Sequence, residues 1–273
     1  MQLASPTRPG VAREVRETLL LAGRSLRTIP RVPERLLDVT IQPVVFIVLF
    51  LYVLGSAVHV PGMSYTDFLL PGVIAQQIAF SVIGAGTATA VDMHEGVVDR
   101  FRSLPIARLS VLTGQVLGQF CEALLGVIVV AGLGFVLGWS PDMSFGDVVV
   151  AITLVLFTLF AFMWGGIVLG LSFRSPDAVQ GVGFTVMLPL TFMAGTFVPI
   201  AGMALVPRTI AEWNPISALV QAVRVLWHNG PPAPPDAAWP LQNPVLATLI
   251  WTVLITAVMA PLSLRAFKRR TDV

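Results

Sequence analysis

The acids, bases and nucleophiles of this chain are few and far apart. Its three histidines, His59, His94 and His228, fall on three different loops, and its single cysteine, Cys121, sits inside an apolar run. No HExxH, no GxSxG and no close carboxylate pair occurs, so hydrolysis has no visible machinery. One thiol makes neither a disulfide nor a Cys-based metal site within one chain, and no metal is expected. The only lysine, Lys268, cannot serve a GxxxxGK[ST] phosphate loop, so ATP would have to be hydrolysed on another chain. One carboxylate stands out. Glu122 is the lone charged residue of the stretch 109–141, and its chemistry depends on what surrounds it.

The surroundings are apolar. Residues 39–66, 68–91, 109–141, 148–173, 178–207 and 237–264 carry no Asp, Glu, Lys or Arg, Glu122 excepted. A helix of about 20 apolar residues crosses the ~30 Å hydrocarbon core, because only a helix satisfies its own backbone there. A mean hydropathy of +0.82 with 12% charged residues leaves too little polar surface for a soluble fold of several buried helices. The spacing predicts an all-α polytopic membrane protein of six spans, at about 40–58, 68–91, 110–137, 148–173, 178–197 and 244–267. Arginines cluster before the first span, between spans two and three, at Arg174 and beside Lys268, while Arg208 and Arg224 fall on the other side. The positive-inside rule then places both termini in the cytoplasm, and the mild net charge of +2 is a topology signal with no nucleic-acid footprint. Arginines precede any apolar run, unlike a cleavable signal peptide. Six spans use most of 273 residues, so one membrane domain, 40–270, is expected after a cytoplasmic segment, 1–39.

Local signals refine these elements. Val11, Val15, Leu19, Ala22, Leu26 and Ile29 recur at helical spacing opposite Arg13, Arg16, Arg24 and Arg27. That amphipathic helix lies in the membrane interface or packs on the domain. Span two is polar for a lipid-facing helix, with Gln76, Gln77, Ser81, Thr87 and Thr89, and it serves either a wet cavity or close helix packing. Glu122 falls near mid-bilayer, where a carboxylate is costly unless paired, protonated or facing water. It reads as part of a substrate path or as an inter-helix hydrogen bond, with Gln115 and Gln119 on neighbouring turns; a proton relay would need a second charge. Gly166 and Gly170 form a GxxxG, a weak signal in so glycine-rich a chain. Asn214-Pro215 is an N-cap and a first-turn proline, starting a helix that stops at Asn229-Gly230. That helix is too short for another crossing, so 198–230 is expected to form a re-entrant, external helical hairpin. In the cytoplasmic loop 92–108, Val97, Phe101 and Leu104 would share one face of a short helix that Pro105 ends. Such a face suits a groove on a partner, and a plain solvated connector remains the alternative.

The run Glu95-Gly96-Val97-Val98-Asp99-Arg100-Phe101-Arg102-Ser103-Leu104-Pro105-Ile106 resembles the signature loop of type-2 ABC exporter permeases. Val32-Pro33-Glu34-Arg35-Leu36-Leu37-Asp38-Val39-Thr40, Asn214-Pro215-Ile216-Ser217 and Ala222-Val223-Arg224 are similar to the daunorubicin-resistance branch. The resemblance implies a half-transporter: two permease subunits, a homodimer or a pair of sister chains, powered by separate ATPase subunits that hold ATP and Mg. It implies that Glu95, Gly96, Val97, Asp99, Arg100, Phe101, Arg102, Leu104 and Pro105 form the coupling helix in the ATPase groove. It also gives the amphipathic helix the role of an interfacial connecting helix. A hydrophobic or amphipathic cargo, drug-like, would pass at the two-fold interface against Gln76, Phe80, Glu122, Phe184, Met187 and Phe192, with Phe197 near the external gate. A lipid or glycan exporter would share this architecture. A secondary transporter would need paired intramembrane charges, and a non-transporting assembly factor would not need the loop.

Overall fold

The computed structural model describes residues 33–55, 58, 60, 63–95, 108–139, 143–228, 230 and 233–271. The amphipathic segment 11–29 and most of the loop 92–108 lie outside them. Helix α1 (Pro33–Leu49) runs on into a π-helical turn, Phe50–Leu54. It is followed by α2 (Tyr65–His94), α3 (Arg108–Val136), α4 (Phe145–Ser172) and α5 (Pro176–Met193). After a 3-10 turn at Ile200–Gly202 come two short helices, α6 (Leu205–Glu212) and α7 (Pro215–Leu226). A single turn, α8 (Trp239–Gln242), leads into α9 (Pro244–Thr271). The described residues are helices and their connections.

Polar residues at the helix starts explain the boundaries. The Ser64 hydroxyl accepts from the Asp67 N–H at 3.1 Å, and Ser144 with Asp147 closes a reciprocal capping box. Ser175 and Asn214 cap helices whose first residue is proline, which gives up no intrahelical hydrogen bond there. Asn214 also donates to the Leu190 carbonyl at 2.7 Å, which fixes the start of α7 against α5.

Four helices have the length and apolarity to cross a bilayer: Tyr65–His94, Leu112–Val136, Phe145–Ser172 and Pro244–Arg270. The apolar part of α1 is shorter, Ile41–Val53, and α5 opens on a polar turn and contains Pro189. At the centre α2 packs along α4 through glycines. A Cβ on Gly166 would meet Ala85 and the Val82 carbonyl at 2.7 Å, and one on Gly170 would run into the Gly86 carbonyl. The two helices therefore touch backbone to backbone, in parallel register. Helix α9 lies on the other side of α4, where the Thr158 and Thr252 hydroxyls hydrogen-bond at 3.2 Å.

Helix α7 is more enclosed than one apolar face requires. Ile216, Leu219, Val220 and Val223 are buried against α2, α4 and α9, and so are Ser217, Ala222 and Arg224. The short helix is thus part of the bundle wall. Arg224 donates to the carbonyls of Phe68 (2.8 Å) and Gly195 (2.9 Å), and its guanidinium lies 3.7 Å from the Phe68 ring centroid. By contrast α6 exposes Leu205, Val206 and Ile210, and Arg208 anchors it by ion pairs of 2.7 Å to Glu212 and to Asp236.

Candidate functional site: an amide-lined cleft

Helix α2 is long enough to present two different sides. Gln77, Phe80, Ser81, Gly84, Thr87, Ala88 and Val91 stand at positions i, i+3, i+4, i+7, i+10, i+11 and i+14, so they fall on one stripe. That stripe faces a cleft of about 440 Å³ closed by α1, α3 and α5. Gln42 enters it from α1, Gln119 and Glu122 from α3, and Gln180 and Phe184 from α5. Four side-chain amides and one carboxylate from four helices thus converge on a single opening. Gln42, Gly84, Gln180 and Phe184 are exposed, so the cleft opens sideways, between helices, toward lipid or a neighbouring chain.

The seven side chains expected along a substrate path divide into three groups. Phe80, Glu122 and Phe184 line the cleft, with the two rings 5.5 Å apart. Gln76 is buried and does not line the cleft, and Met187 packs half-buried against the apolar core. Phe192 and Phe197 belong elsewhere, in a stack with α1: Phe197 lies 3.9 Å from Phe50, 4.9 Å from Phe192 and 6.3 Å from Phe46 between centroids. Phe197 is almost fully covered, and the Tyr65 hydroxyl donates to its carbonyl at 3.3 Å.

Gln42 and Gln180 were not expected along the path, Gln77 was expected only as one of the polar residues of span two, and Gln119 only as a neighbour of Glu122. Their signal was present in part: Gln115, Gln119 and Glu122 are spaced four and three apart, and Gln77 opens the small-and-polar stripe of α2. Nothing in the sequence distinguishes Gln76 from Gln77, which differ by about 100° around a helix.

At the end of the cleft near His94, α2 and α3 are tied together. The Gln115 amide donates at 3.2 Å to both the Thr89 hydroxyl and the Asp92 carboxylate, and Thr89 donates to the Ala85 carbonyl at 2.7 Å. The joint lies near the C-terminal end of α2, where the expected loop 92–108 begins. Of its expected coupling residues, Glu95 is exposed at the end of α2, its N–H bonded to the Val91 carbonyl at 2.9 Å. Gly96, Val97, Asp99, Arg100, Phe101, Arg102, Leu104 and Pro105 lie outside the described residues. Among the described residues no group of three or more His, Cys, Asp or Glu could hold a metal ion.

Comparison with known proteins puts this arrangement in context. The family model for the ABC-2 type transporter matches residues 16–227. The daunorubicin resistance ABC transporter permease of Streptomyces coeruleorubidus is 30% identical over 268 residues, covering 98% of this chain and 92% of that one. The doxorubicin resistance ABC transporter permease of Mycobacterium tuberculosis is 25% identical over 224 residues, 77% of this chain and 73% of its own. An inner membrane transport permease of Escherichia coli is 26% identical over 194 residues, 67% and 73% of the two chains. A polar cleft set among bilayer-length apolar helices therefore stands in a chain that is an integral membrane protein and belongs to the ABC-2 type transporter family.

Proposed function

We propose that this chain is the permease subunit of an ATP-driven exporter in the cell membrane, moving a drug-like amphipathic compound outward. The observation that carries the reading is the cleft. A bundle built only to anchor would have no reason to aim four amides and a carboxylate at one opening, since polar groups in hydrocarbon are expensive. The near full-length similarity to a daunorubicin resistance permease favours a small amphipathic cargo over a lipid or a glycan.

In this reading α1 and α5 complete six spans with both termini in the cytoplasm, and 198–230 forms the external hairpin. The pattern of helix ends supports that arrangement. Arg270 donates to the Phe173 carbonyl at 3.1 Å, so the ends of α4 and α9 lie together, while Arg224 secures the opposite end at Phe68. Two such subunits, identical or sister chains, would face each other across the open side of the cleft. ATP and Mg would be held by separate ATPase subunits, and the loop at 92–108, with Val97, Phe101 and Leu104 as its apolar face, would dock in their groove. Closure of the ATPase pair would move the loop, and the Gln115 joint would pass that movement to α2 and α3. The cleft would then exchange between inward-open and outward-open packings.

Co-purification and ATPase assays with the cognate motor subunit test the scheme. Phe101→Ala or Arg100→Glu should insert normally yet lose at least about tenfold of the cargo-stimulated ATPase rate, a loss of roughly 1.4 kcal/mol of coupling. Undiminished stimulation in both variants would remove the loop from the mechanism.

A further inference from the structure

Helix α9 meets its surroundings along one continuous stripe. Leu246, Ile250, Leu254, Val258 and Leu262 are exposed at spacings of four, and the helix carries no Asp or Glu. Leu246 and Leu262 are sixteen residues apart, about 24 Å along the axis at ~1.5 Å per residue, against ~30 Å for a hydrocarbon core. The stripe therefore faces lipid chains over most of their depth.

Its two ends differ. Before Leu246 the helix opens on Pro244-Val245, without charge. Beyond Leu262 the same face continues, three and seven residues on, in Arg265 and Arg269, both exposed. A turn rises ~5.4 Å, so these arginines stand about one and two turns past the apolar stripe, at the depth of the headgroup layer. Neither guanidinium has an ion pair or hydrogen bond among the described residues. Their neighbours are engaged: Arg270 donates to the Phe173 carbonyl at 3.1 Å, and Lys268 has a partner within the chain. The same clasp brings the exposed Arg174, next in the chain after Phe173, to this end of α9.

Charge, depth and position on the helix select the occupant. A subunit docked beneath the bundle would approach along the helix axis, whereas Arg265 and Arg269 prolong the side that faces lipid. A guanidinium stays charged at every physiological pH and offers a planar fork of donors that fits two oxygens of one phosphate. The phosphate of phosphatidylcholine is balanced by its own ammonium, and that of phosphatidylglycerol is not.

We infer that the basic end of α9 is a docking surface for anionic phospholipid, with Arg265 and Arg269 on the phosphates and Val258 and Leu262 against the chains. This requires only that α9 lies in a bilayer, so it stands apart from the choice of cargo and motor.

A label at each end of the stripe tests it. In a Cys121→Ser background, Leu262→Cys or Leu246→Cys carries a bimane on the full-length chain, in nanodiscs of equal phosphatidylcholine and phosphatidylglycerol. Brominated chains are placed on one lipid at a time, and contact quenching reports which lipid sits at the label. At Leu262 phosphatidylglycerol should be favoured at least about fivefold, the effect of one basic residue near a charged surface, while at Leu246 the two lipids should quench alike. Arg265→Gln with Arg269→Gln should abolish the preference at Leu262. Salt at ~1 M should also shrink it, because screening then acts within ~3 Å.

An equal preference at both ends, none at Leu262, or one that survives the double substitution overturns the inference. Should the double variant fail to insert, the salt series on the native arginines decides, and a preference that withstands ~1 M salt overturns it. A double variant that loses the motor subunit and keeps its lipid preference assigns these arginines to a protein contact, which overturns it as well.

Discussion

The ionic contacts at the hairpin end show how individual residues set a condition on local stability. Arg208 bonds Glu212 and Asp236, and Glu212 in turn accepts the N–H of Ala238, which joins α6 to the turn before α9. Arg208 holds the Asp236 carboxyl below its ordinary pKa, first through the direct hydrogen bond, and these carboxylates raise the guanidinium's own pKa in return. A carboxyl with a depressed folded-state pKa contributes stability that is complete above its unfolded value, near 3.9, and is lost as pH falls through the lower folded value. Asp236→Asn should therefore speed hydrogen exchange in residues 205–212 at neutral pH, with the difference from wild type disappearing in strong acid. The effect should be small and should shrink with added salt, because the pair is exposed to solvent. An equal difference at every pH would show that Asp236 acts through its shape and not its charge.

Glycine spacing decides how the long helices meet. Gly166 and Gly170 occupy the line where α4 lies against α2, and Gly86 faces them from α2, close also to the Val179 side chain. Gly170→Leu should force the helices apart and cost about 1–3 kcal/mol, read as a lower thermal unfolding temperature and a smaller folded yield. Gly165→Ala is the control, since a methyl there meets nothing within 4 Å. The sequence makes some of this layer readable and hides the rest. Asn214-Pro215 specifies a helix start because capping is local chemistry, and α7 begins there. Gly166 and Gly170 look like background in a chain of 23 glycines, since only the partner helix reveals which pair is used. The enclosure of α7 was hidden for a related reason: Ser217 and Ala222 carry no strong preference for burial, and neighbours on α2, α4 and α9 decide it.

At the scale of the whole molecule, what matters is that one side-chain amide ties α2 to α3 close to the C-terminal end of α2. Gln115 bridges Thr89 and Asp92 one turn below Gln119, which lines the cleft, so a single side chain lies between the C-terminal end of α2 and the cleft. Gln115→Leu should preserve cargo binding and motor assembly yet reduce cargo-stimulated ATPase activity by roughly 2- to 30-fold, the range of 0.5–2 kcal/mol in coupling. Unchanged stimulation would mean that the two helices shift as one body without the amide. The class of molecule was plain from composition, because apolar runs of bilayer length admit few other solutions. The cleft was not, because it arises from residues as distant as Gln42 and Gln180, whose convergence no local pattern encodes.

Arg224 closes the other end of the bundle, and the choice of its partners has a consequence for the conditions it tolerates. Its described contacts are two main-chain carbonyls and the face of a phenyl ring. None of these groups takes up a proton in mild acid, unlike the carboxylates that hold Arg208. Acidification of the medium can thus loosen the outer rim around α6 and leave the fastening of α7 to α2 intact, a bolt that weathers what the hinge beside it does not.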